Sequence, residues 1–193
     1  MVNKRSFPIY RLTYLAILSA IVVVLQLAGS FVRLGTFSIC PVLIPIVLGA
    51  IIGGPTGGAW LGLVFGVTVL MSGDAAFFLG INPVGTIITV LAKGILCGLC
   101  AGLVYRIFAK RTNVAALMAA IVSPLVNTGV FMLGSRIFFW QTMQAGGEAE
   151  GLSAFGYLIL FMVGGNFIFE FIFNMVLCPV LNRLIRLLPQ KAE

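Results

Sequence analysis

The stretch GAIIGGPTGGAW, residues 49–60, decides how this chain is read. A glycine-rich run either cradles a phosphate or turns and packs the backbone. This one lacks the Gly-Lys-Ser/Thr ending of a phosphate loop, and no strand-like segment precedes it. Pro55 set among glycines suits a tight turn. Beyond the turn the glycines continue as a ladder. Gly54, Gly58, Gly62 and Gly66 recur every four residues, and Gly94, Gly98 and Gly102 repeat the spacing further on. On a helix such residues share a face, and faces without side chains let helix backbones approach closely in lipid. The run therefore reads as a turn between two helices that pack through glycine. No other stretch offers a nucleotide site.

Composition agrees. Of 193 residues, 61% are hydrophobic and only 9% charged, where a soluble domain carries roughly 25% charged residues. A fold of this size cannot hide that much apolar surface from water, so the chain reads as a single all-α membrane domain, residues 1–193. The absence of histidine excludes histidine ligands and histidine-based catalysis. Cys97 and Cys100 form a C-x-x-C, but inside AKGILCGLCAGL and with no second pair at metal-ligand spacing. They read as small residues on a packed helix, and no metal site is expected.

A membrane-crossing helix needs about 20 apolar residues. Six segments qualify: Leu12 to Gly29, about Ile39 to Ile52, about Gly57 to Met71, Val84 to Phe108, Val114 to Trp140, and Phe155 to Leu184. The second and third are short. An even number of crossings puts both termini on one side. That side carries Lys4, Arg5, Arg11, Arg106, Lys110, Arg111, Arg183, Arg186 and Lys191. The other carries Arg33 and Arg136 with Asp74, Glu148 and Glu150. Basic loops stay in the cytoplasm, so both termini are expected there, and the net charge of +7 reflects membrane topology rather than nucleic-acid binding. Lys4, Arg5 and Arg11 ahead of an apolar core resemble a signal peptide, but five further spans follow, so the segment reads as a retained first helix.

Charges deep in apolar spans are costly and are functional candidates. Lys93 in the fourth span and Glu170 in the sixth qualify, at depths that let them pair. Asn166 precedes Glu170 by four residues and shares its face. Asn127 in the fifth span lies at similar depth. Towards the outside lie Asn82, Arg136 and Trp140, with Arg33 in the first outer loop and Gln26 near the outer end of the first span. The expected site is a pocket opening outward, with Lys93, Asn127, Asn166 and Glu170 at its floor. The competing reading of these groups is a satisfied ion pair and amide bonds that hold the bundle together.

The chain resembles the substrate-binding S components of energy-coupling factor (ECF) vitamin transporters, in the riboflavin, folate and pantothenate group. The resemblance lies in its size and six spans, in AILSA at residues 16–20 of the first span, and in LIPIVLGAIIGGPTGGAWLGLVFGV followed by NPVGTIITVLAKGILCGLCAGLVYR, residues 43–67 and 82–106. It implies a non-enzymatic subunit of a bacterial cell membrane that binds a vitamin from outside. The pocket would be formed by the outer halves of spans four to six and capped by the first and third outer loops. It further implies docking through Ala16 and Ala20 onto a membrane T component driven by two ATPase subunits, so that ATP is a cofactor of the partners and not of this chain. RLGTFSICPVLIP, residues 33–45, lacks the acidic residue of riboflavin-type relatives. Arg33 and Arg136 suit a carboxylate. Pantothenate is therefore expected ahead of folate or riboflavin. The alternative is a stand-alone, proton-coupled secondary transporter working through Glu170.

Overall fold

The computed structural model describes residues 9–31, 33–34, 37–38 and 41–187. Lys4, Arg5, Cys40 and Lys191 lie outside the described residues. In chain order the elements are α1 (Ile9–Phe31), β1 (Arg33–Leu34), β2 (Phe37–Ser38), α2 (Leu43–Ser72), α3 (Ala76–Ile81), α4 (Pro83–Ile107), α5 (Thr112–Phe138), α6 (Trp140–Ala149), α7 (Ala154–Tyr157), a π-helical segment (Leu158–Val163) and α8 (Gly164–Leu187). The two short strands pair antiparallel, Arg33 opposite Ser38 and Leu34 opposite Phe37.

Among the described residues, four helices are long and apolar enough to cross a membrane: α1, α2, α4 and α5. A fifth candidate is the pair Ala154–Phe161 and Gly164–Cys178, bent by 43°. The bend falls at the π-helical segment, where the chain takes i→i+5 hydrogen bonds and the helix axis is displaced. The last expected span is thus broken rather than one long tilted helix.

The part of the second expected span from Leu43 on, and the whole of the third, fall within α2, which contains a reversal. Gly54 sits at φ 73°, ψ −169°, a conformation that favours glycine because a Cβ would clash there. A side-chain carbon placed on Gly49 would strike Leu61, and one on Gly57 would lie 2.8 Å from the Gly49 carbonyl oxygen. In a straight helix residues 49 and 61 stand roughly 18 Å apart. The limbs 43–53 and 55–72 therefore fold back on each other, with Pro55 opening the second limb, where its missing N–H costs nothing.

The glycine ladder closes the centre of the bundle. A carbon added to Gly58 would collide with the Gly98 carbonyl, and one added to Gly62 with the Gly94 carbonyl. At Gly102 it would lie 2.6 Å from the Pro55 Cα, and at Gly66 3.1 Å from the Val90 carbonyl oxygen. Each step of four residues along α2 answers a step of four back along α4, so the helices run antiparallel in fixed register, backbone on backbone. The other edge of the turn receives α1: the Leu15 methyls lie 3.1 and 3.2 Å from where a Gly53 Cβ would be. On the far side of α4, Ala115, Ala116, Ala119 and Ala120 of α5 are fully buried. Small residues thus set the order α1–α2–α4–α5, with α8 against α5.

Candidate functional site

One step around α2 and α4 from the glycine seam, the side chains become large and the helices enclose a cavity of about 160 Å³. Its walls come from six elements and the connections between them. Gln26 of α1, Val42 just before α2, Leu43, Phe65 and Val69 of α2, Asp74 and Ala75, Phe78 of α3, Val90 and Lys93 of α4, Phe131 of α5, and Asn166 and Glu170 of α8 all line it. The site is more central than a pocket confined to spans four to six, because the start of α2 reaches into it.

The shorter limb of α2 explains this. Residues 43–53 rise roughly 16 Å and residues 55–72 roughly 27 Å from the same turn. Leu43 therefore comes level with Phe65, well below the end of α2 at Ser72, and both it and Val42 are buried.

At the floor, Glu170 is buried and accepts two amide N–H bonds: from Asn127 Nδ2 at 3.3 Å and from Asn166 Nδ2 at 3.2 Å. One turn along α8, Asn174 Nδ2 donates to the Glu170 carbonyl at 2.8 Å. The amide oxygens of Asn127, Asn166 and Asn174 are themselves buried, with no hydrogen-bond partner among the described residues. Such acceptors carry a desolvation cost unless a ligand or water reaches them. Lys93 lines the same cavity, its ammonium 5.5 Å from the Phe65 ring centre and 5.7 Å from that of Phe131. Both rings are within cation–π range.

At the other end, Gln26 Nε2 donates to Asp74 Oδ2 at 2.6 Å, tying α1 to the loop after α2. Phe78 of the short helix α3 stands over this end, edge-on to Phe131 at 5.6 Å and to Phe139 at 4.9 Å. The cavity thus joins a polar floor, aromatic walls and a second carboxylate near the rim.

The expected site residues divide. Lys93, Asn166 and Glu170 line the cavity, and Asn127 reaches it through Glu170. Asn82 is the N-cap of α4, its Oδ1 accepting the Gly85 N–H at 2.9 Å, and it does not line the cavity. Arg33 lies in β1; its side chain falls outside what is described. Arg136 and Trp140 line a separate groove of about 650 Å³ with Val126, Gly129, Val130, Met132, Leu133, Phe155 and Leu158. Helical arithmetic gives the reason: Asn127 and Arg136 are nine residues apart, roughly two and a half turns, and so face opposite ways.

Gln26 and Asp74 escaped notice as a pair because 48 residues separate them. Asn174 continues the four-residue spacing of Asn166 and Glu170, a signal the sequence carries. Ala16 and Ala20 are exposed on α1, on the side away from buried Leu18, Val22 and Gln26.

Comparison with curated proteins and with solved structures finds no match. The family model for the substrate-specific component of ECF transporters matches residues 10–182, which takes in every wall of the cavity. The chain belongs to that family: it is a membrane-embedded, substrate-specific subunit of an ECF transporter.

Proposed function

We propose that the chain binds a water-soluble vitamin in the cavity above Glu170 and hands it to a transport complex whose ATPase subunits supply the energy. The observation that carries this reading is the polar floor, where Glu170, Lys93 and Asn166 line one cavity inside an apolar bundle of the ECF family and the Asn166 amide oxygen has no hydrogen-bond partner among the described residues. A purely structural ion pair would be expected to leave its surrounding acceptors satisfied.

Within that reading the substrate is compact. The cavity is small beside the roughly 300–1,000 Å³ of drug-sized sites, which favours pantothenate over folate, and it must still widen on binding. The carboxylate would meet Lys93, the hydroxyls Asp74 and Glu170, and the gem-dimethyl group the rings of Phe65 and Phe131. The support that Arg136 gave to a carboxylate passes to Lys93, the cation among the described cavity walls.

Six crossings with both termini in a bacterial cytoplasm complete the proposal. The reversal at Gly54 supports counting residues 43–53 and 55–72 as separate passes, and the basic residues Arg106, Lys110 and Arg111 share one end of the bundle with that turn, as Gly102 packing on Pro55 implies. The exposed Ala16 and Ala20 support docking of α1 on a T component.

Isothermal titration of the purified chain with pantothenate, folate and riboflavin tests the substrate. Binding of pantothenate alone, weakened about 10- to 100-fold in Lys93→Met, is the expected result. Pantothenate binding that is unaffected by Lys93→Met would remove Lys93 from the site.

A further inference from the structure

The groove on the opposite side of α5 lacks the carboxylates and amides that line the cavity. Its lining is apolar apart from Arg136 and the Trp140 indole N–H at one end. The guanidinium lies 4.2 Å from the centre of the Trp140 ring, and Arg136 is exposed. Among the described residues no carboxylate neutralises it. Leu133, at 63% exposure, and Phe155, at 52%, face away from the bundle, so the groove opens sideways rather than towards the cavity. Gly129 lies along it, and a side-chain carbon there would meet nothing within 4 Å.

Its dimensions suit one kind of occupant. From Val126 to Arg136 the groove runs roughly 15 Å along α5. That is half of a hydrocarbon core about 30 Å thick, the depth of one leaflet. Arg136 stands roughly 36 Å from the start of α5 at Thr112, at the level of the headgroups, while Val126 lies near the midplane. An apolar trough one leaflet deep, with an unneutralised cation held at headgroup level by an interfacial tryptophan, matches an acyl chain below a phosphate.

We propose that this groove is a binding site for one anionic phospholipid, its acyl chain against Gly129, Val130 and Leu133 and its phosphate on Arg136. The site is independent of the vitamin cavity, which lies across α5. It reassigns Arg136 and Trp140 from substrate recognition to lipid recognition. The bound lipid bridges α5 and the segment around Phe155 and Leu158, where the last span is broken.

Native mass spectrometry of the full chain in detergent tests the proposal, using phosphatidylglycerol and phosphatidylcholine with identical acyl chains. The first phosphatidylglycerol should bind about fivefold more tightly than phosphatidylcholine, the worth of one interfacial cation. Arg136→Gln should abolish that preference and leave phosphatidylcholine binding in place. Gly129→Leu, whose side chain enters open space and so spares the helix packing, should reduce retention of both lipids. Equal affinity of the unaltered chain for the two lipids, or a preference that survives Arg136→Gln, overturns the assignment. Unchanged lipid binding in Gly129→Leu overturns it too, and leaves the groove to a partner helix.

Discussion

The α2–α4 pair is shut on one face and open on the next. At Gly58 and Gly62 the two backbones touch, with no room for a methyl group, and at Gly66 the fit is tight. Beside the seam, on the same two helices, the side chains of Phe65, Val69, Val90 and Lys93 line a cavity. In lipid, where hydrophobic burial does not drive helices together, the glycine seam supplies close packing and the scaffold for the cavity beside it. The two faces differ in tolerance: the seam is fixed by backbone, while the cavity is fixed by side chains that a ligand can displace.

The sharpest way to break that contrast is to add bulk to the seam. Gly62→Val should cost roughly 3 kcal/mol or more, because the new side chain meets the Gly94 carbonyl and neither backbone can yield without opening the bundle. A lowered melting temperature in detergent, or loss of folded protein, is the readout. If Gly62→Val melts like the parent, the seam is not close-packed.

Small residues facing outward should behave differently from those facing inward. Ala16→Trp and Ala20→Trp leave the bundle's core untouched, since both positions are exposed. Transport by the assembled complex should fall to background while melting temperature and substrate affinity stay at parental values. Equal transport would take the docking role away from α1.

In the cavity, Glu170→Gln replaces an acceptor of two amide bonds with a group that can accept only through one oxygen, so either Asn127 or Asn166 loses its partner. A loss of about 1–3 kcal/mol in stability is expected, with a parallel loss of substrate affinity. A drop in stability without any change in affinity would assign Glu170 to structure alone. The smallest effect is the control for the seam. Gly129→Ala adds a methyl where nothing stands nearby, so stability should hold or rise by up to about 1 kcal/mol.

The same contrast explains what could be read from the residues alone. The seam was legible because its rule is local: glycine every four residues has one meaning in an apolar helix, and Pro55 among glycines marks a turn. Lys93 and Glu170 were legible because charge inside apolar helices is rare. The i, i+4 relation joined Asn166 to Glu170. The closure of the cavity by Gln26, Asp74 and Phe78 was not legible, since it depends on how distant segments meet. Nor was the π-helical turn through LILFMV at residues 158–163, although the Gly164–Gly165 pair right after it marks a place where a helix can bend. Depth places Arg136 and Trp140 near the outer end of α5, and a guanidinium suits a carboxylate, but the rotation of α5 between Asn127 and Arg136 separates them from the cavity.

Native mass spectrometry of the small molecule retained by the gently purified chain tests the central claim, that the substrate sits between Lys93 and Glu170. One bound vitamin per chain is expected, lost in Lys93→Met and kept in Arg136→Ala. Retention in Lys93→Met with loss in Arg136→Ala would move the substrate to the groove across α5 and contradict the account.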